Sequence, residues 1–312
     1  MVTSGTPSEM QQRTAGYQGM PFLKPHVWTW QVPLYFFLGG LGGMAAVLAL
    51  AALAGGRDGE DAQFVRVAMW VAAIAGGVLS PALLTWDLGR PARFLHMLRV
   101  FKWRSPMSVG AWLLAAFGAV AVPGAALAEW HLRSGGQTRW LALLSGAFVI
   151  FAGLLGALLA VYTGVLIGAT AVPAWYLHRV PLPVHFGVAG LGSAAAALEL
   201  LGLGRPPRVA LGFLAAAVET CLGVWFEVRR HGDADLALRS GLGGWLLRAG
   251  GLLAGPLALA LRFAGWHSLA AAVFLAGALI SRFGWIEAGR KGALSPEAVL
   301  AAGRSPRIPE EE

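Results

Sequence analysis

The sequence predicts an all-α integral membrane protein of eight transmembrane helices, arranged as two parallel-repeat four-helix bundles. Three observations carry this. The 312 residues are 57% hydrophobic and only 13% charged, against about 25% charged in an ordinary soluble domain, and the mean hydropathy is +0.63. Uncharged stretches run over 25–56, 67–86, 105–128, 140–178, 180–198 and 263–281, and a bilayer core takes roughly 20 apolar residues per helix. Finally, PLYFFLGGLGGMAAVLAL (33–50) lies without gaps over PVHFGVAGLGSAAAALEL (183–200), with Pro33/Pro183, Phe36/Phe186, Gly40/Gly190, Gly42/Gly192 and Leu48/Leu198 among the identities.

Taken in order, residues 1–27 are polar, contain Gly and Pro and lack an apolar core, so they read as a tail and not a cleavable signal. Helices are expected near 31–54, 65–86, 106–128, 140–168, 183–204, 208–228, 241–261 and 266–288. The run 140–178 is too long for one span. Pro173 and Pro181 predict that its helix ends near Thr170 and that a short connection follows. Glu219 and Arg248 interrupt the sixth and seventh spans. GAWLL (110–114) echoes GGWLL (243–247), and WDLGR (86–90) weakly echoes FEVRR (226–230), extending the repeat. The division is a first bundle over 28–178, a second over 179–290 and a polar tail over 291–312. With an even number of spans per copy, the repeats are parallel, about an axis along the membrane normal.

Eight spans put both termini on one face. That face collects most of the Lys and Arg, among them Arg90, Arg93, Arg99, Lys102, Arg104, Arg229 and Arg290. The positive-inside rule makes it cytoplasmic.

Side-chain chemistry narrows the function. His26, His96, His131, His178, His185, His231 and His267 fall at or beyond the expected helix ends, which disfavours axial haem ligation inside the membrane. The single cysteine, Cys221, can neither form an internal disulfide nor hold an iron–sulfur cluster. GGLGGM (39–44) follows no strand and lies inside a span, so Gly39 and Gly43 read as a smooth helix-packing face, not a phosphate loop. The informative groups are polar ones at membrane depth, which are costly unless paired or facing a cavity. Near the terminal face these are Gln31 and Tyr35 on the first helix, Thr85 and Asp87 on the second, Tyr162 and Thr163 on the fourth, and His185 on the fifth.

Asp87 opposes the dipole of the helix it ends, so a partner must hold it. Arg90 and Arg93 are the available cations. Either Asp87 is a helix-end clamp on them, or it is a proton-transfer group between a buried site and water. The following RFLHMLRVFKWR mixes basic and aromatic residues and should lie along the interface. Such a pattern also fits nucleic acid, but in so apolar a chain the expected contact is the lipid bilayer or a protein. In the second half, Glu219 and Glu227 form either an ion-pair lock with Arg248 and Arg282 or part of a proton route.

DLGRPARFLHMLRVFKWRSPMSVGAW (87–112) resembles the second-to-third-helix signature of the NrfD/PsrC family, the polysulphide reductase-type membrane quinone subunits. WTWQVPLYFFLGGLGG (28–43), YTG (162–164) and SRFGWIEAGR (281–290) resemble that family's first-helix opening, fourth-helix motif and ending. The resemblance implies a membrane-anchor subunit of a multi-subunit respiratory oxidoreductase, exchanging electrons with menaquinone or ubiquinone and carrying no haem or iron–sulfur cluster of its own. It implies a four-cluster ferredoxin-like iron–sulfur partner, joined to a molybdopterin or multihaem catalytic subunit, in a bacterial or archaeal cytoplasmic membrane, with proton translocation possible in the family. Quinone-binding positions carried over by motif are the Gln31–Tyr35 region and Tyr162, with Thr163 and His185 at similar depth. Arg90, Arg93, Arg99 and Lys102 would border the partner. A non-redox secondary transporter built from parallel four-helix repeats would share the repeats, the glycine-rich helices and the buried acids.

Overall fold

The computed structural model describes residues 28–55, 59–90, 92–135, 138–204, 206–229 and 236–294. His26, His231 and the tail 1–27 lie outside them. Among the described residues there is no strand, and eight helices are long and apolar enough to span a membrane: α1 (Gln31–Gly55), α2 (Asp61–Asp87), α3 (Pro106–Arg133), α4 (Arg139–Gly168), α5 (Pro181–Leu203), α6 (Val209–Val228), α7 (Gly241–Phe263) and α8 (His267–Leu294).

Two helices outrun their expected ends, because charge does not stop a helix whose charges are paired. In α3, Glu129 accepts hydrogen bonds from Arg66 (3.0 Å), Trp70 (3.0 Å) and Arg133 (2.7 Å). In α8, which continues to Leu294, Glu287 pairs with Arg290 at 3.2 Å and Lys291 donates to Ser240 at 2.9 Å. Starts and stops follow local chemistry. The Ser105 hydroxyl caps α3 by accepting from the Ser108 amide, with Pro106 behind it. Gly265 takes φ +80° to turn α7 into α8. Proline lacks an N–H and its ring presses on the preceding turn. Thus α2 widens into a π-helical stretch over Ala72–Leu79, ahead of Pro81, and α7 does so over Leu253–Leu257, around Pro256.

Glycines let the helices approach to backbone contact, as packing within lipid requires. A Cβ on Gly43 would sit 2.5 Å from the Gly156 carbonyl oxygen, joining α1 to α4. Gly42 lies equally close to the Gly76 backbone of α2. In the second half, a Cβ on Gly250 of α7 would sit 2.7 Å from the Ser281 amide nitrogen of α8. The outer surface is apolar, with Phe151, Leu154 and Leu158 of α4 more than half exposed. Trp86, Trp103, Trp130, Trp140 and Trp266 are exposed near helix ends, as in an interfacial aromatic belt.

The repeat has a geometric signature. Gly40 packs on Gly190, with a Gly40 Cβ 3.7 Å from the Gly190 Cα, and the Phe36 and Phe186 rings lie 6.1 Å apart. Each residue meets its own equivalent in the other copy, as at a two-fold axis. That pseudo-axis passes between α1 and α5, which both start at the terminal face.

Candidate quinone site and its counterpart

The first candidate site opens at the terminal end of α1–α4. A cavity of about 80 Å³ is lined by Trp28, Tyr35, Asp87, Met97, Gly110 and Tyr162, among others. Gly110 matters because a Cβ there would collide with the Tyr162 ring, so the absence of a side chain on α3 makes room for the phenol of α4. The Tyr162 hydroxyl donates to the Pro106 carbonyl, leaving its lone pairs for another donor. Tyr35 is 5% exposed and lines the same cavity.

Asp87 is half-buried, and its partner is not the expected one. The Thr29 hydroxyl, just ahead of α1, donates to Asp87 Oδ1 at 2.5 Å and also meets the Gln31 side-chain amide. One hydroxyl has one proton, so Thr29 stands between two acceptors, Asp87 Oδ1 and Gln31 Oε1, and donates to one at a time. Among the described residues Asp87 makes no ion pair. Arg93 donates to the Leu88 carbonyl at 3.3 Å, where the chain turns at Gly89 with φ +66°. The clamp to Arg90 or Arg93 is therefore replaced by a link from α2 to the opening of α1.

Two expected site residues do not face this cavity. Thr163 is 1% exposed, and its hydroxyl turns back to the Ala160 carbonyl at 3.5 Å. His185 lies across the pseudo-axis in the second bundle, a turn inside α5 and 6% exposed, not at an interface. Its Nε2 is 3.2 Å from the Ser281 hydroxyl and its Nδ1 is 3.1 Å from Glu219 Oε2. His178, 1% exposed, is likewise buried, beneath the short helix Pro173–Tyr176, with its ring near Phe226 and Trp285.

The second cavity, about 370 Å³, is lined by His185, Glu219, Ser281, Trp285, Glu227 and Arg248, among others. Arg248 pairs with Glu227 at 2.8 Å, not with Glu219, and both are about half exposed. Glu219 is instead buried against His185, within electrostatic reach of Arg282. The Arg282 guanidinium lies 3.7 Å from the Phe186 ring centroid and donates to the Phe186 carbonyl.

The interfacial segment is a short helix, Ala92–Met97, followed by an irregular stretch in which Val100, Phe101 and Trp103 are exposed. Met97 lines the first cavity, so this segment borders it. Among the described residues no group of three or more His, Cys, Asp or Glu gathers. Residues that sequence reasoning passed over include Thr29, Trp28, Gly110, Ser281 and Trp285. The Gly110/Gly243 match in the repeat was the one signal available for Gly110.

Eight helices long and apolar enough to span, enclosing two largely apolar cavities with a few polar groups on their walls, define a multi-pass membrane protein. The family description "Polysulphide reductase, NrfD" matches residues 19–206, covering α1–α5. The chain belongs to the NrfD (polysulphide reductase) family and is a membrane-anchor subunit of a respiratory oxidoreductase. Subunits of this family are associated with quinone interaction and typically partner with iron–sulfur and catalytic subunits. No curated protein matches the chain.

Proposed function

We propose that the cavity between α1 and α4 takes the headgroup of a membrane quinone or quinol, menaquinone or ubiquinone, and exchanges electrons with a four-cluster ferredoxin-like iron–sulfur subunit. That subunit docks on the terminal face, along Arg90–Arg104, and connects to a molybdopterin or multihaem catalytic subunit. The observation carrying this reading is the convergence of Tyr35, Asp87 and Tyr162 on one space at membrane depth. The Tyr35 phenol can donate to a carbonyl oxygen, the Tyr162 oxygen, whose proton goes to Pro106, can accept from a hydroxyl, and Trp28, Phe36 and Leu166 supply apolar walls.

Oxidising a quinol releases two electrons and two protons. The electrons go to the iron–sulfur partner, and the protons must reach water through a titratable group. Asp87 is placed for this, half-buried at the cavity and oriented by Thr29. In the second bundle, Glu219 beside His185 and Glu227 at the rim are further candidates for proton transfer. The terminal face is cytoplasmic in this reading, supported by the distribution of Lys and Arg. The family match favours a redox anchor over a transporter.

Tyr162→Phe removes one hydroxyl and little volume. Titration of a short-chain quinol analogue should show affinity about tenfold weaker, the scale of one buried hydrogen bond. Unchanged affinity and turnover would remove Tyr162 from the site.

A further inference from the structure

We infer that the second bundle holds a second binding site for a neutral ring of the quinone class, seated in the 370 Å³ cavity between α6 and α7. The inference borrows only its ligand class from the quinone reading of the first cavity. The space falls within the roughly 300–1,000 Å³ typical of small-molecule pockets. Its polar groups gather on residues that are almost wholly buried: Glu219 and Trp285 are each 3% exposed and His185 is 6%. Among the described residues, Glu219 Oε1 and Trp285 Nε1 are buried without a hydrogen-bond partner. One is an acceptor and the other a donor, and the residues that carry them both line one cavity. A ring bearing hydroxyl or carbonyl oxygens satisfies both, its hydroxyl donating to Glu219 and its carbonyl accepting from the Trp285 indole.

Other occupants fit less well. An acyl chain would seal these polar atoms away from any partner, a penalty of roughly 1–3 kcal/mol each. An anionic headgroup would meet the Glu219 carboxylate, and a cation would find it already flanked by His185 and Arg282. Phe226 and Trp285 offer aromatic faces to a flat ring. The mouth lies among Val224, Val228 and Leu252, which are 58%, 70% and 59% exposed, on the surface where a prenylated molecule diffuses. Symmetry supports the placement: Tyr35 and Asp87 of the first cavity correspond in the repeat to His185 and Glu227 of the second.

Two glycines make the inference testable. Gly223 and Gly251 line the cavity, and a Cβ on either meets nothing within 4 Å among the described residues. Gly223→Phe should fill the space without disturbing a packed contact. The full-length chain in lipid nanodiscs is photolabelled with a tail-shortened azidoquinone, with excess unlabelled quinone as competitor, and peptides of α5–α8 are analysed separately from those of α1–α4. Wild type should show competable labelling of α6–α8 peptides, reduced about tenfold or more by Gly223→Phe. Gly251→Leu provides the same plug if the first variant folds poorly. Absence of competable label on α6–α8, or label that survives both plugs, overturns the inference. Label on α1–α4 peptides reports the first cavity independently, so either reading can fail alone.

Discussion

The two bundles share one fold and differ in what they place at the same address. On one side of the pseudo-axis, Tyr35 and Tyr162 present phenols to a tight cavity bordered by Met97 of the interfacial segment. On the other, the position equivalent to Tyr35 is His185, held by Ser281 and Glu219 in a roomier cavity with Gly223 and Gly251 on its wall. At the opposite membrane face the contrast sharpens. The first repeat has Ala49 where the second has Glu199, and Glu199 is ion-paired at 2.9 Å with Arg262, itself 2% exposed. The lesson is that the four-helix unit supplies a cleft at its terminal end twice over. The side chains lining each cleft then assign it different chemistry, and the second copy carries the buried charge.

The largest effect should come from that buried charge. Arg262→Met leaves Glu199 unpaired in a poorly solvated place, a change that costs about 3–5 kcal/mol. Thermal unfolding in detergent should show it, and Arg262→Met with Glu199→Leu should recover most of the loss. If the single variant is as stable as wild type, the pair does not anchor the second bundle. The first bundle should be more sensitive in chemistry than in stability. Asp87→Asn keeps shape and the hydrogen bond from Thr29 but cannot carry a proton. Quinol oxidation should fall by about 10²-fold, at the lower end of general acid–base contributions, with assembly intact. Normal turnover across pH would make Asp87 a structural link only.

Smaller again is the docking surface. Charge reversal at Arg99 and Lys102 should weaken co-purification of the iron–sulfur subunit by about tenfold in a salt-dependent way. A complex unaffected by the reversal would assign the segment to lipid headgroups. The smallest effect belongs to the rim of the second cavity. Arg248→Ala breaks a half-exposed pair with Glu227 and should change stability by less than about 1 kcal/mol. A larger loss would mean that the rim is packed more tightly than its exposure shows.

Much of the fold was legible in the sequence, because lipid imposes long apolar runs and prolines punctuate them. The repeat was legible too, since Gly40 and Gly190 must stay small where they touch. The site was legible in depth and not in azimuth. Tyr35 and His185 stand at one height, but helix order around the axis sends them to different cavities, and no local pattern records that order. Thr163 shows the same limit within one helix, being next to Tyr162 yet turned into the backbone. Asp87 was visible as an anomaly, but its partner Thr29 lies 58 positions away in the chain. The ends of α3 and α8 were missed because Glu129, Arg290 and Lys291 read as termini until their partners are known.

The central claim is that Tyr35 and Tyr162 converge on one quinone headgroup. A double-mutant cycle tests it most directly, with Tyr35→Phe, Tyr162→Phe and the double variant titrated with a short-chain quinol analogue in the assembled complex. Each single variant should weaken binding, and the pair should depart from additivity by about 0.5 kcal/mol or more, as for groups sharing one partner. Affinity unmoved in all three variants would contradict the account.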